Sequence, residues 1–240
     1  MKIVSGNSYE ELCQRAAVIF SEQIRKKPDS VLGLATGSTP LGLYRELVRL
    51  YEAGRLDFSQ IRTVNLDEYY PLRPEHPQSY HYYMQENLFG HVNLRAENCY
   101  LPDGAAPDPA LACVAYDQRI EQLGGIDLQL LGLGENGHIG FNEPGSELCA
   151  DTHLTELSES TVHANARFFD NEAEVPRRAI TMGMAGILKA RRILLIAYGK
   201  KKHAAVAALL DRRITPQVPA TLLKLHPDVT VLCDGGAFLG

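Results

Sequence analysis

No stretch of this 240-residue chain reaches the roughly 18 consecutive apolar residues that a membrane-spanning helix requires. The opening Met1-Lys2-Ile3-Val4-Ser5-Gly6 turns polar after two apolar residues and does not read as a secretory leader. A cytoplasmic protein with no membrane partner is expected. Cysteine is scarce and scattered. The five thiols, Cys13, Cys99, Cys113, Cys149 and Cys233, are odd in number and include no Cys-x-x-Cys pair, which fits neither a disulfide framework nor a zinc site. Reduced, mostly buried thiols are expected. Positive charge is not in excess either: 24 Lys and Arg stand against 29 Asp and Glu, a net charge of −5 that gives no long-range attraction to nucleic acid. An anionic ligand would need a local basic pocket. His76, His81, His91, His153, His163, His203 and His226 show no His-x-x-x-His spacing and no companion Cys, so no metal is expected. Repeats, low-complexity tracts and linkers are lacking as well.

What the chain does contain is apolar material for one core, 45% hydrophobic residues with 22% charged, at a length that suits a single domain over residues 1–240. Short apolar runs alternate with longer segments of helical period, the pattern of parallel βαβ units, so the expected class is α/β. Strands are expected at Val31–Ala35, Arg62–Leu66, Asp127–Leu133, Arg192–Tyr198 and Val229–Cys233; most are near-continuous apolar runs, as in strands covered on both faces. Helices are expected from Ser8, where Ser8 and Glu11 form a capping-box pattern, to Lys26. Others are expected over Pro40–Ala53, Tyr80–Phe89, Pro109–Leu123, Ala179–Leu188 and Lys202–Leu210, with a short one from Pro219. Leu101–Pro109, with three prolines, reads as an exposed loop.

Ligands in open α/β sheets bind beyond the carboxyl ends of the strands, and four of these strands lead there into unusual chemistry. Val31–Ala35 hands over to Thr36-Gly37-Ser38-Thr39-Pro40, with Thr39 suited to N-cap and Pro40 to N1. Such a turn aims backbone N–H groups and the positive helix end at one point, as a phosphate site requires, and Gly37 allows close approach. The alternative is an ordinary βα turn; no Gly-Lys-Ser/Thr follows, so it is not a nucleotide-triphosphate loop. Arg167 and Lys202 are cations that could complete the site. A basic residue in a helix's first turn opposes the helix dipole unless an anion is bound nearby. Lys200 and Lys201 read as solvated charges.

Asp67-Glu68 ends the second strand, where acids are poor strand residues; a carboxylate there could act as a base, or both could be solvated loop acids. Gly132-Leu133-Gly134-Glu135-Asn136-Gly137 matches G-x-G-x-x-G, but Pro144-Gly145 follows too soon for the helix that a dinucleotide fingerprint opens. A loop holding His138 and Glu143 reads better as an acid–base site in which the carboxylate orients the imidazole, with a structural histidine as the alternative. Tyr80, Tyr82, Tyr83 and Phe89 read as a core-facing stripe, or else as a lid over the site.

With these residues identified, the chain resembles the glucosamine-6-phosphate deaminase family along nearly its whole length. The matching stretches are Leu34–Pro40, Asn65-Leu66-Asp67-Glu68-Tyr69, Gly132–Pro144, Ala164–Phe169 and Leu225-His226-Pro227. The first and third also resemble 6-phosphogluconolactonases, whereas the Asn-Leu-Asp-Glu-Tyr and Phe-Asn-Glu-Pro pieces favour the deaminases. The resemblance implies a Rossmann-like three-layer domain with a mostly parallel sheet, of the ribose-5-phosphate isomerase and CoA-transferase type. It implies conversion of D-glucosamine 6-phosphate and water to D-fructose 6-phosphate and ammonia, without metal or organic cofactor. His138 would assist ring opening with Glu143 holding it, and Asp67 would carry a proton from C2 to C1. Thr36, Gly37, Ser38, Thr39, Arg167 and Lys202 would bind the phosphate.

The sequence departs from the family's pattern in two places. Asn136 stands where some members carry Asp, leaving one fewer carboxylate beside the imidazole. His153 and Thr155 stand where longer, hexameric, allosteric members carry basic residues, and those members continue past Gly240. The expected form is therefore non-allosteric, monomeric or weakly associated. A lactonase using His138 as a base on water, and a sugar-phosphate-sensing module, are the competing expectations.

Overall fold

The computed structural model describes residues 1–169 and 171–240. The chain runs β1 (Lys2–Gly6), α1 (Tyr9–Lys26), β2 (Val31–Leu34), α2 (Leu41–Glu52), β3 (Arg62–Asn65), β4 (Asp67–Tyr70), α3 (Tyr80–Asn87), β5 (Cys99–Tyr100) and α4 (Pro109–Gln122). It continues with β6 (Leu128–Gly132), β7 (His153–Glu156), α5 (Glu159–Asn165), β8 (Arg178–Thr181), α6 (Met184–Leu188), β9 (Ile193–Ala197), α7 (His203–Leu210), β10 (Val229–Asp234) and α8 (Gly235–Leu239).

Seven strands form a parallel sheet in the order β1-β10-β9-β6-β2-β3-β5, with helices flanking it in the expected three-layer α/β arrangement. All residues of β2 and β9 are buried, which is why these strands read as unbroken apolar runs. Ser8 caps α1 by accepting from the Glu11 N–H at 3.2 Å; Glu11 reaches back to the N–H of Asn7, one residue beyond the expected capping-box partner. Asp108 caps α4 through Ala110 and Leu111, with Pro109 in the first turn as expected.

A second, three-stranded antiparallel sheet, β4-β8-β7, was not expected from the sequence. It corrects the expected helix over Ala179–Leu188: Arg178–Thr181 is its central strand, and only Met184–Leu188 is helical. The spacing of Ile180, Met184, Ile187 and Leu188 (i, i+4, i+7, i+8) satisfies a helical period, but pairing of Arg178–Thr181 to strands on both sides overrides that local preference. The sheet also re-places Asp67, which opens β4 of the small sheet and does not end β3 of the large one. Leu66 is the seam: its N–H donates to Leu34 O at 3.1 Å on the large sheet, and its carbonyl accepts from Met182 N at 2.7 Å on the small one. A separate apolar cluster of Tyr69, Phe141, Leu157, Val162, Val175 and Ala179 packs beneath this sheet.

Two smaller corrections concern exposure. The loop 101–109 buries Pro102, Gly104 and Ala106, and Gly104 O accepts from Leu72 N. In the aromatic stripe, Tyr82 is exposed, whereas Tyr80 packs on Tyr69 and Phe141. His226 is buried and structural, with Nε2 on Ala190 O at 2.6 Å and Nδ1 accepting from Asp228 N at 3.1 Å.

Candidate active site

The carboxyl ends of β2, β6 and β9, together with the start of β4, surround one cavity of about 640 Å³. Thr36, Gly37, Ser38, Thr39, Asp67, Asn136, His138, Arg167 and Lys202 all line it. Of the residues expected in the site, Glu143 alone is absent from the wall; it stands behind His138. An acid from the first third of the chain and an imidazole from its second half thus flank the same space.

At one end of the cavity the 36–40 turn is held by tyrosines. The hydroxyl of Tyr83 donates to Gly37 O at 2.6 Å, that of Tyr9 to Thr39 O at 2.8 Å, and that of Tyr44 to Ala35 O at 2.6 Å. With these carbonyls satisfied from behind, the turn has a fixed shape in front. Pro40, not Thr39, occupies the cap position of α2, and no side chain caps that helix. Arg167 donates from Nη2 to Ser38 Oγ at 3.1 Å, which brings a guanidinium from the far side of the fold to this turn. Lys202 is half-buried, and burial lowers its pKa; Glu135 opposes this, while the charges of Arg167 and Lys201 add to it. Two cations lining one cavity, the charge of one lowering the pKa of the other, favour a bound anion. Lys201 is exposed and pairs with Glu135 at 3.6 Å.

Asp67 is 6% exposed, and no hydrogen bond reaches its carboxylate among the described residues. Burial, with the neighbouring charge of Glu68 adding to it, pushes its pKa up to about 8. Glu68 is also buried but fully engaged: it accepts from the N–H groups of Tyr69, Tyr80 and His81 and so binds the start of α3. The two adjacent acids are therefore neither solvated nor equivalent. One is a structural cap, and the other is a carboxyl without partners facing a cavity, poised to exchange a proton.

His138 sits in a loop whose shape the glycines set. A Cβ at Gly134 would lie 2.5 Å from the imidazole Cδ2; at Gly137, where φ is +88°, it would lie 2.4 Å from Val218 Cγ1. The loop is pinned to the small sheet by Phe141 N–H on Thr181 Oγ1 and by Asn142 Nδ2 on Met182 O. His138 Nδ1 faces Glu143 Oε2 at 3.3 Å. Asn136 Nδ2 donates to the same oxygen at 2.8 Å, while its Oδ1 accepts from the His138 N–H at 3.1 Å. Burial alone would raise the pKa of Glu143, but His138, Thr161 and Asn136 outweigh it and hold it at about 2.

Residues 6–232 match the family model described as glucosamine-6-phosphate isomerases/6-phosphogluconolactonase. A glucosamine-6-phosphate deaminase of Clostridium perfringens is 52% identical over 237 residues, covering 99% of this chain and 98% of that protein. One of Halothermothrix orenii is 52% identical over 234 residues, covering 98% and 97%. The chain belongs to the glucosamine-6-phosphate deaminase family. A solved monomeric glucosamine-6-phosphate deaminase superposes with a TM-score of 0.97 at 48% identity, over 99% of this chain and 98% of that one. The 6-phosphogluconolactonase of Trypanosoma brucei shares the fold alone, with a TM-score of 0.79 at 21% identity over 98% and 97%.

Beyond the residues that its motifs identify, the cavity of this deaminase-family chain draws on α5 and the turn after it. Ser160, Thr161, His163, Ala164 and Asn165 line it, and Tyr80 closes the side next to Asp67. Asn165 donates to the Tyr69 hydroxyl at 2.9 Å. The sequence carried a signal for Tyr80 in its aromatic spacing and for Asn165 in the stretch around Arg167. For Thr161 it carried none, because a threonine in a polar segment is unremarked until the fold lays it against Glu143.

Proposed function

We propose that the chain converts D-glucosamine 6-phosphate and water to D-fructose 6-phosphate and ammonia. The observation that carries this reading is the single cavity flanked by Asp67, His138 and the anion-binding group of Thr36–Thr39, Arg167 and Lys202. The phosphate binds at the turn and its two cations. His138, its Nδ1 face held by Glu143, uses Nε2 to move the proton from the C1 hydroxyl to the ring oxygen, and the pyranose opens. Asn136 orients Glu143 and the loop where an acid stands in some relatives.

Asp67, as carboxylate, then takes the C2 proton and returns it at C1. The electron pair of the C2–H bond forms a C1–C2 double bond as the carbonyl pair moves to O1, O1 takes a proton from the substrate's ammonium to give the enolamine, and protonation at C1 leaves an iminium at C2. Water adds to that carbon and ammonia departs, so the final step is hydrolytic. A positioned base of this kind is typically worth about 10²–10⁴ in rate. The substrate's own ammonium, attached to the carbon that loses its proton, offsets the Glu68 charge beside Asp67 and favours the ionised base on binding. The reading includes a monomer, a cytoplasmic setting and no cofactor, and the five unpaired cysteines are in keeping with a reducing compartment.

The test is to incubate the purified protein with glucosamine 6-phosphate in the presence of a chelator and to measure ammonia and fructose 6-phosphate together. Equal amounts of both, undiminished by the chelator, are expected. Absence of ammonia, with hydrolysis of 6-phosphogluconolactone, would replace the proposal with a lactonase.

A further inference from the structure

Glu143 divides its two oxygens between different elements. Oε2 serves Asn136 and His138 within its own loop. Oε1 accepts from the Thr161 hydroxyl, its one partner among the described residues. Thr161 is buried, 5% exposed, in the first turn of α5. Its hydroxyl proton has one destination, because a carboxylate can only accept; its oxygen in turn accepts from the Ser158 hydroxyl at 3.0 Å. Ser158 Oγ accepts the Thr161 N–H at 3.2 Å, which closes the cap of α5. This chain of donors has a fixed direction and ends on Glu143.

A carboxylate gripped on one oxygen can turn about its last torsion, which is broad. Gripped on both, it holds the plane of its partner ring. The helix that supplies this second grip leads directly into Arg167, which donates to Ser38 Oγ at the anion-binding turn. We infer that Thr161 is a positioning residue: its hydroxyl fixes Glu143, and through it His138, from the same short segment that carries the phosphate cation Arg167. The inference rests on the assignment of His138 and Glu143 to ring opening.

The experiment compares steady-state turnover of glucosamine 6-phosphate by the parent, Thr161→Val, Thr161→Ser, Glu143→Gln and the double variant Thr161→Val/Glu143→Gln. Loss of one buried hydrogen bond to a charged group predicts about a tenfold fall in kcat for Thr161→Val, with KM within about twofold of the parent. Thr161→Ser restores kcat. The double variant is no slower than Glu143→Gln, because the hydroxyl acts through that carboxylate. Parent-like kcat in Thr161→Val, or losses that multiply in the double variant, overturns the inference. A rise in KM that Thr161→Ser leaves unrepaired overturns it too, since that reports displacement of α5 and Arg167. Parent-like turnover by Glu143→Gln overturns the ring-opening assignment itself, and the role of Thr161 with it. Should Thr161→Val not fold, Thr161→Ala, which adds no bulk, makes the same comparison.

Discussion

At the scale of single residues, Asp67 carries the sharpest consequence. Its pKa is raised on folding to about 8, so the native state keeps a proton that the unfolded chain releases near pH 4. The stability associated with the neutral carboxyl is fully present below the unfolded value and is lost as pH climbs through about 8. Asn cannot ionise. Asp67→Asn in the ligand-free protein is therefore expected to melt close to the parent at pH 4 and above it, by several degrees, at pH 9. Thermal melts across that range decide it; a constant difference would mean that Asp67 titrates normally. In turnover the same variant is expected to lose about 10²-fold or more with substrate still bound. The chemistry of Asp67 was legible because acids are depleted in strands. Its isolation was not, since nothing in Asp67-Glu68 says which acid caps a helix and which is left without donors.

At the scale of elements, the central strands were legible because a parallel strand covered on both faces has little choice but to be apolar. The edge strands β1 and β5 and the whole small sheet were not. They are short and mixed in polarity, and β1 and β4 are defined by pairing with segments over 100 residues away, as in Lys2 against Thr230 and Asp67 against Thr181. The site was legible where strands end in glycine-bracketed polar residues and opaque where α5 contributes.

Two tests belong to this scale. Gly137→Ala forces an alanine into a left-handed backbone conformation against Val218 and should cost about 2 kcal/mol or more in denaturant titration. Its kcat should fall further than stability alone explains, because Ala220 N–H bonds Gly137 O at 3.0 Å and the loop shifts with it. Lys202→Ala removes one of the two cations at the turn. A KM about tenfold higher or more for glucosamine 6-phosphate is expected, with kcat little changed. If the variant still discriminates the phosphorylated sugar from glucosamine as well as the parent does, Lys202 does not bind the phosphate.

At the scale of the whole molecule, the relevant quantity is how the two sheets are joined. The turn Thr36–Thr39, proposed to bind the phosphate, is suspended from β2, which is hydrogen-bonded directly to β3, and Leu66 alone separates β3 from the strand that presents Asp67. The distance from clamp to base is thus written in main chain, one strand spacing plus one residue, rather than in the reach of a flexible side chain. With clamp and base assigned as proposed, the protein carries a yardstick cut to one length of sugar. A substrate that is one carbon shorter, such as a 2-amino-2-deoxypentose 5-phosphate, can seat its phosphate or offer its C2 proton, but it cannot do both. Its turnover should be lower by about 10²-fold, the usual penalty for an ångström of misplacement.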